Sequence, residues 1–170
     1  TSRPGEAPSR SMENYRGANG SYQLDYPSNW QVFEGRDGGV SFAPDWAIEG
    51  NDLTRGVIVG SYSPKQNKGT VTLTKALNTL INDLRQSNSY LDEDERDRYT
   101  ERLAGRNAIA TFMFGRNPAG YEERVWVVTR TSGTGVIYMI FIAPEQDFQQ
   151  YKSTFNSMLK SYAVSERNYR

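Results

Sequence analysis

The chain contains no histidine and no cysteine. That absence excludes zinc fingers, His/Cys catalytic zinc sites, haem-ligating histidine, Ser-His-Asp triads, thiol nucleophiles and disulfides. Neither sign of charge is in excess, since 20 Lys and Arg balance 20 Asp and Glu. With no basic stripe either, the electrostatic footprint of a nucleic-acid binder is missing, and no nucleic-acid partner is expected. No apolar run approaches the length of a membrane span. The phosphate-cradling glycine motifs and the GxSxG elbow are absent too, and Gly133-Thr134-Gly135 reads as a hairpin turn. No cofactor and no metal are expected.

What is present is a 170-residue chain, 36% hydrophobic and 12% aromatic, of a length that suits one domain. Residues 1–19 hold Met12 and Tyr15 as their only large apolar side chains. So little apolar area cannot offset the entropy of ordering, and the segment reads as a flexible linker or N-terminal arm. It lacks the apolar core of a signal peptide. Residues 20–163 read as a single domain and 164–170 as a frayed tail.

Within the domain, Ser21 to Tyr26 alternates polar and apolar residues, the period of a half-buried strand. Strands are expected at Trp30–Glu34, Val40–Ala43 and Arg55–Tyr62, with a loop over 45–54. Leu73, Ala76, Leu77, Leu80, Ile81 and Leu84 recur at helical spacing behind a Thr72 N-cap, and Ser87-Asn88-Ser89 should end that helix. Further strands are expected at Tyr99–Leu103, Asn107–Phe114, Glu122–Thr131 and Val136–Ala143. The last is apolar on both faces, so it should be central and covered twice. Pro144 opens a second helix, with Phe148, Tyr151, Phe155, Met158, Leu159 and Tyr162 on one stripe. The pattern is α+β: a largely antiparallel sheet of about six to eight strands with helices packed on it.

Candidate chemistry is sparse. The run Asp92 to Arg98 has five acids and two arginines. It lacks the glycine and the terminal glutamate of a calcium loop, and reads as a solvated connector. Glu122-Glu123 offers one catalytic carboxylate, with Asp25 or Asp45 as a partner; the simpler account is a strand start with one residue facing solvent. Tyr26, Trp30 and Trp46 form the candidate binding set. An exposed indole anchors partners well, whereas a loop Trp often folds back to cap the core.

Four segments carry a family resemblance. Tyr26-Pro27-Ser28-Asn29-Trp30 resembles the YPxxW entry of PsbP-like domains, and Gly39 to Pro44 is similar to their next strand. Leu103-Ala104-Gly105-Arg106-Asn107-Ala108 resembles their hydrophobic-x-G-R-x-A strand opening. Phe141 to Glu145, continuing through Phe148, Tyr151 and Phe155 to Met158 and Ser161, resembles their last strand and closing helix. The resemblance spans about residues 20–162. It implies an α/β/α sandwich, a fold shared with a Ran-binding import factor, and proteins that act by binding other proteins.

A narrower resemblance is to the C-terminal extension of bacterial Ste24-type zinc metallopeptidases, which follows a linker like residues 1–19. Those peptidases use an HExxH helix, and no catalytic or zinc-binding residue carries over to a chain without histidine. The expectation is a non-catalytic protein-interaction or substrate-recruitment domain. It would be the C-terminal part of a larger bacterial envelope metallopeptidase, extracytoplasmic, with a protein partner or the peptidase's peptide substrate as ligand. One alternative is a free-standing secreted protein or lipoprotein that binds a protein or small ligand. The other is a carboxylate-based hydrolase.

Overall fold

The structure, a computed structural model, describes residues 3–35, 37–50, 52–64 and 71–165. In chain order it forms β1 (Met12–Arg16), β2 (Tyr22–Pro27), β3 (Gln31–Glu34), β4 (Val40–Ala43), β5 (Ile48–Glu49), β6 (Asp52–Leu53) and β7 (Gly56–Tyr62). Helix α1 (Leu73–Ser87) follows, then β8 (Asp92–Glu93), β9 (Tyr99–Leu103), β10 (Arg106–Arg116), β11 (Glu122–Ser132) and β12 (Gly135–Pro144). Helix α2 (Glu145–Ser161) and β13 (Ala163–Val164) complete the described chain.

The main sheet has eight strands in the order β3-β4-β7-β12-β11-β10-β8, with β9 also paired to β10, and its pairs are antiparallel. Strand β12 lies between β7 and β11, as its unbroken apolar run requires. Its odd residues Ile137, Met139, Phe141 and Ala143 join a core with Trp126, Phe148, Tyr151, Phe155 and Met158. Its even residues Ile140 and Ile142 join a second core with Val125, Val127, Leu77, Leu80 and Ile81. Helix α2 therefore covers one face and α1 the other, giving the expected α+β sandwich. The Thr72 hydroxyl caps α1 by accepting from the Lys75 amide at 3.1 Å, and Asn88 closes it by donating to the Leu84 carbonyl.

Several details differ from the sequence reading. Residues 12–16, assigned there to a flexible arm, form β1, which pairs with β2, and β13 flanks β2 on its other side. Two large apolar residues suffice because β2 satisfies the β1 backbone and the arm borrows an existing core. Tyr15 packs edge-on against Phe42 with ring centroids 5.3 Å apart. The approach is pinned too: Ser9 N–H donates to Asn29 Oδ1 and the Asn29 amide donates to the Ala7 carbonyl. Val164, placed in a frayed tail, belongs to β13, while 166–170 lie outside the described residues. The expected loop over 45–54 contains the β5–β6 hairpin.

The acidic run is not wholly solvated. The Glu93 side chain is 2% exposed and takes a two-pronged ion pair from Arg98, each bond 2.8 Å. The Thr111 hydroxyl donates to the same carboxylate. Arg130, also buried, donates to the carbonyls of Leu103, Thr131 and Ala104, closing the β9–β10 turn.

Candidate functional site

The structure turns the three residues proposed from sequence inward, toward packing partners. Trp30 is 3% exposed and packs against Tyr151 of α2 at 6.3 Å, so it is a core cap with no free indole face. Tyr26 lies over Phe42 and its hydroxyl donates to Glu13. Trp46 is half-buried beneath the Arg55 guanidinium, which stands 5.2 Å from its ring and pairs with Asp147 at 2.6 Å. Asp147 sits in the first turn of α2, where its charge also suits the helix dipole. Trp30 packs on the second turn of α2 and Trp46 lies under the arginine that pairs with its first turn, while Tyr26 packs against the same core as Trp30 through Phe42.

Two open concavities of similar size flank the sheet, about 530 and 520 Å³. The first is lined by Tyr15, Tyr22 and Tyr162, with Glu34 accepting from the Tyr15 hydroxyl. The second lies at the C-terminal end of α1 and carries the more unusual chemistry. Its floor is the sheet face at Ile58, Val125 and Ile142; its rim is formed by the β5–β6 hairpin, the α1–β8 connection and the β10–β11 turn.

Glu123 is the centre of this cleft. Strand alternation places it on the same face as Val125 and Val127, toward α1. It is 8% exposed, and the Tyr90 hydroxyl donates to its Oε2 at 2.6 Å. Glycine builds this contact. Gly115 is the cross-strand partner of Glu123, and a Cβ there would stand 2.0 Å from the Tyr90 carbonyl oxygen. Only a bare strand position lets the Tyr90 segment press against β10 and reach the carboxylate. Asn117 is a second neutral group beside the carboxylate: its Oδ1 accepts from the Tyr121 amide, and its side chain favours the charged form of Glu123.

Burial pushes the Glu123 carboxyl above the ordinary carboxylate value, and the nearby Asp52 charge adds to it; the bonds from Tyr90 and Asn117 offset part of the shift. Burial, then the hydrogen bond and charge of Glu123, raise the Tyr90 phenol as well. Of the carboxylates considered from sequence, Glu123 alone lines this cleft. Asp25 accepts from Asn14 on the β1–β2 side, and neither it nor Asp45 is among the lining residues. Asp52 and Tyr90 lie outside the set that the sequence points to. The signal available for the latter was Gly115, an isolated glycine inside a strand pattern.

A different surface is aromatic. Tyr99 and Phe114, each 37% exposed, flank Phe112 in a stacked row. The Arg124 guanidinium lies 4.7 Å from the Phe112 ring and 4.9 Å from that of Phe114. Such stacking shields the apolar row with a cation.

No family model matches the chain, and no curated protein matches it by sequence. Solved structures do match its shape. Cyanobacterial PsbP (CyanoP) from Synechocystis sp. PCC 6803 superposes with a TM-score of 0.64 at 15% identity, covering 91% of this chain and 93% of that one. The fold is PsbP-like. The Saccharomyces cerevisiae Ran-binding protein Mog1p gives 0.59 at 11% identity over 91% of this chain and 95% of its own. LpqN of Mycobacterium tuberculosis, involved in cell envelope biogenesis, gives 0.56 at 11% over 92% of each. The fold expected from the sequence motifs is the fold found. The narrower likeness to a metallopeptidase extension gains no support from these structures. At such identities the PsbP-like comparison carries architecture and not function.

Proposed function

We propose that this PsbP-like chain is a protein-interaction domain that performs no chemistry of its own and engages its partner at the Glu123 cleft. The observation that carries the reading is the cleft itself. It is an open concavity with an apolar floor at Ile58, Val125 and Ile142 and a largely polar rim, held on rigid strands by Gly115 and the β10–β11 turn. Mog1p, of the same fold, is a Ran-binding protein. LpqN belongs to envelope biogenesis, and an extracytoplasmic location is part of the proposal. The narrower reading, attachment to an envelope metallopeptidase, rests on the resemblance of residues 1–19 and of the domain. It requires an HExxH helix upstream of Thr1 in the native gene.

The test is in-cell photo-crosslinking from a benzoylphenylalanine placed at Leu53 or Tyr121 on the rim, against one at Lys152 on the far helix. A partner trapped from the rim and not from α2 supports the reading. Equal trapping from both, or reproducible turnover by the pure domain, overturns it.

One observation favours a second reading, a carboxylate hydrolase: Glu123 is a buried acid with raised pKa beside another carboxylate, Asp52, as a general acid requires. That reading predicts turnover abolished by Glu123→Gln with KM retained.

A further inference from the structure

The second buried carboxylate of this protein sets the standard by which Glu123 is unusual. Glu93, 2% exposed, is neutralised within the fold by the Arg98 fork. Glu123 is buried too, yet its hydrogen bond comes from a neutral phenol, and among the described residues no cation pairs with it. A carboxylate withdrawn from water with only neutral partners carries an uncompensated desolvation cost. The surroundings deepen the deficit. Among the described residues the cleft lining includes three carboxylates, Glu49, Asp52 and Glu123, and no Lys or Arg. Glu49 and Asp52 face each other directly across the β5–β6 hairpin, a like-charge pairing that a sheet disfavours. Below the acids the walls are apolar, formed by Leu53, Ile58, Leu84, Val125 and Ile142.

We propose that the cleft binds an ammonium or guanidinium group carried on an apolar stem, presented as a Lys or Arg side chain of the partner protein. The cationic head meets Glu123 with Asp52 and Glu49 at the rim, and the stem lies on the aliphatic wall. The inference rests on the cleft being the interaction surface, and it names the chemistry recognised there. Arg55, whose charge acts on the lining residue Tyr121, is held by Asp147 and does not itself line the cleft.

The test is a titration of the whole chain, followed by amide proton–nitrogen correlation spectra. The probes are n-butylammonium, its neutral counterpart n-butanol, and the peptide acetyl-Ala-Leu-Lys-Leu-Ala-amide with a norleucine control. Butylammonium and the lysyl peptide should move the amides of Tyr90, Asn117 and Glu123, and butanol and the norleucine peptide should not. Glu123→Gln keeps the shape and should weaken both by about tenfold or more. Asp52→Asn, on the exposed hairpin, provides a second variant with the same expected direction. Shifts from the free amine alone support the cation site and overturn its occupation by a protein side chain. No cleft shift with either cation, or equal shifts with butanol, overturns the proposal. Rim crosslinking that persists in that case leaves the interaction reading standing and removes only the cation.

Discussion

Replacing Tyr90 by Phe removes one atom from the centre of the cleft and leaves the ring to pack. The lost hydroxyl donates to Glu123 Oε2 at 2.6 Å, and the carboxylate is 8% exposed, so water does not readily replace it. A hydrogen bond to a charged group contributes about 2 kcal/mol, against about 1 kcal/mol between neutral groups. The cost of Tyr90→Phe should therefore depend on pH. Glu123 has a raised folded-state pKa, so its contribution to stability is complete below the ordinary value of 4.5 and is lost as pH rises through the folded value. Removing Tyr90's hydroxyl raises that pKa further and extends the loss. Urea denaturation should show Tyr90→Phe destabilised by about 2 kcal/mol at pH 7 and by about 1 kcal/mol near pH 4. In a Glu123→Gln background the cost should fall to about 1 kcal/mol at both pH values. A pH-independent cost, or one unchanged by Glu123→Gln, would refute the charged hydrogen bond.

Gly115→Ala should cost about 3 kcal/mol in the same assay, because its Cβ meets the Tyr90 backbone at 2.0 Å; a variant within about 0.5 kcal/mol of wild type would contradict the close approach. Trp30→Ala should cost about 4 kcal/mol and Trp46→Ala about 1 kcal/mol, a core cap against a half-buried ring under Arg55. Reversed order would mean that Trp30 is not in the core. Glu93 behaves oppositely to Glu123: burial raises its pKa, but the Arg98 and Thr111 bonds outweigh this and the net shift is down. Its contribution is present above the ordinary carboxylate value and is lost as pH falls through the lowered folded value. Glu93→Gln should cost about 3 kcal/mol at pH 7, with the gap from wild type closing in acid.

The fold was legible because its determinants are local. The Thr72 cap, the stripe Leu73 to Leu84 and the two-faced run Val136 to Ile142 each specify one element in one place. Strand β1 was not legible, since Tyr15 gains its value only once Phe42 and Tyr22 are beside it, and Met12 only once the core is assembled. The same holds for the tryptophans: nothing near Trp30 announces Tyr151, more than a hundred residues away. The cleft was half legible. Glu123 shares parity with Val125 and Val127, which places it inward, and Gly115 marks a close approach. That Tyr90 makes the approach, and that Asp52 stands near, depends on register across three segments, which no single-strand pattern encodes.

The most direct measurement is a carbon-13 titration of the Glu123 side-chain carboxyl, with and without n-butylammonium. The midpoint should lie above the ordinary 4.5 in the free protein and be drawn downward when the cation binds. A midpoint at or below that value, unmoved by butylammonium, would contradict both the uncompensated carboxylate and the cleft built around it.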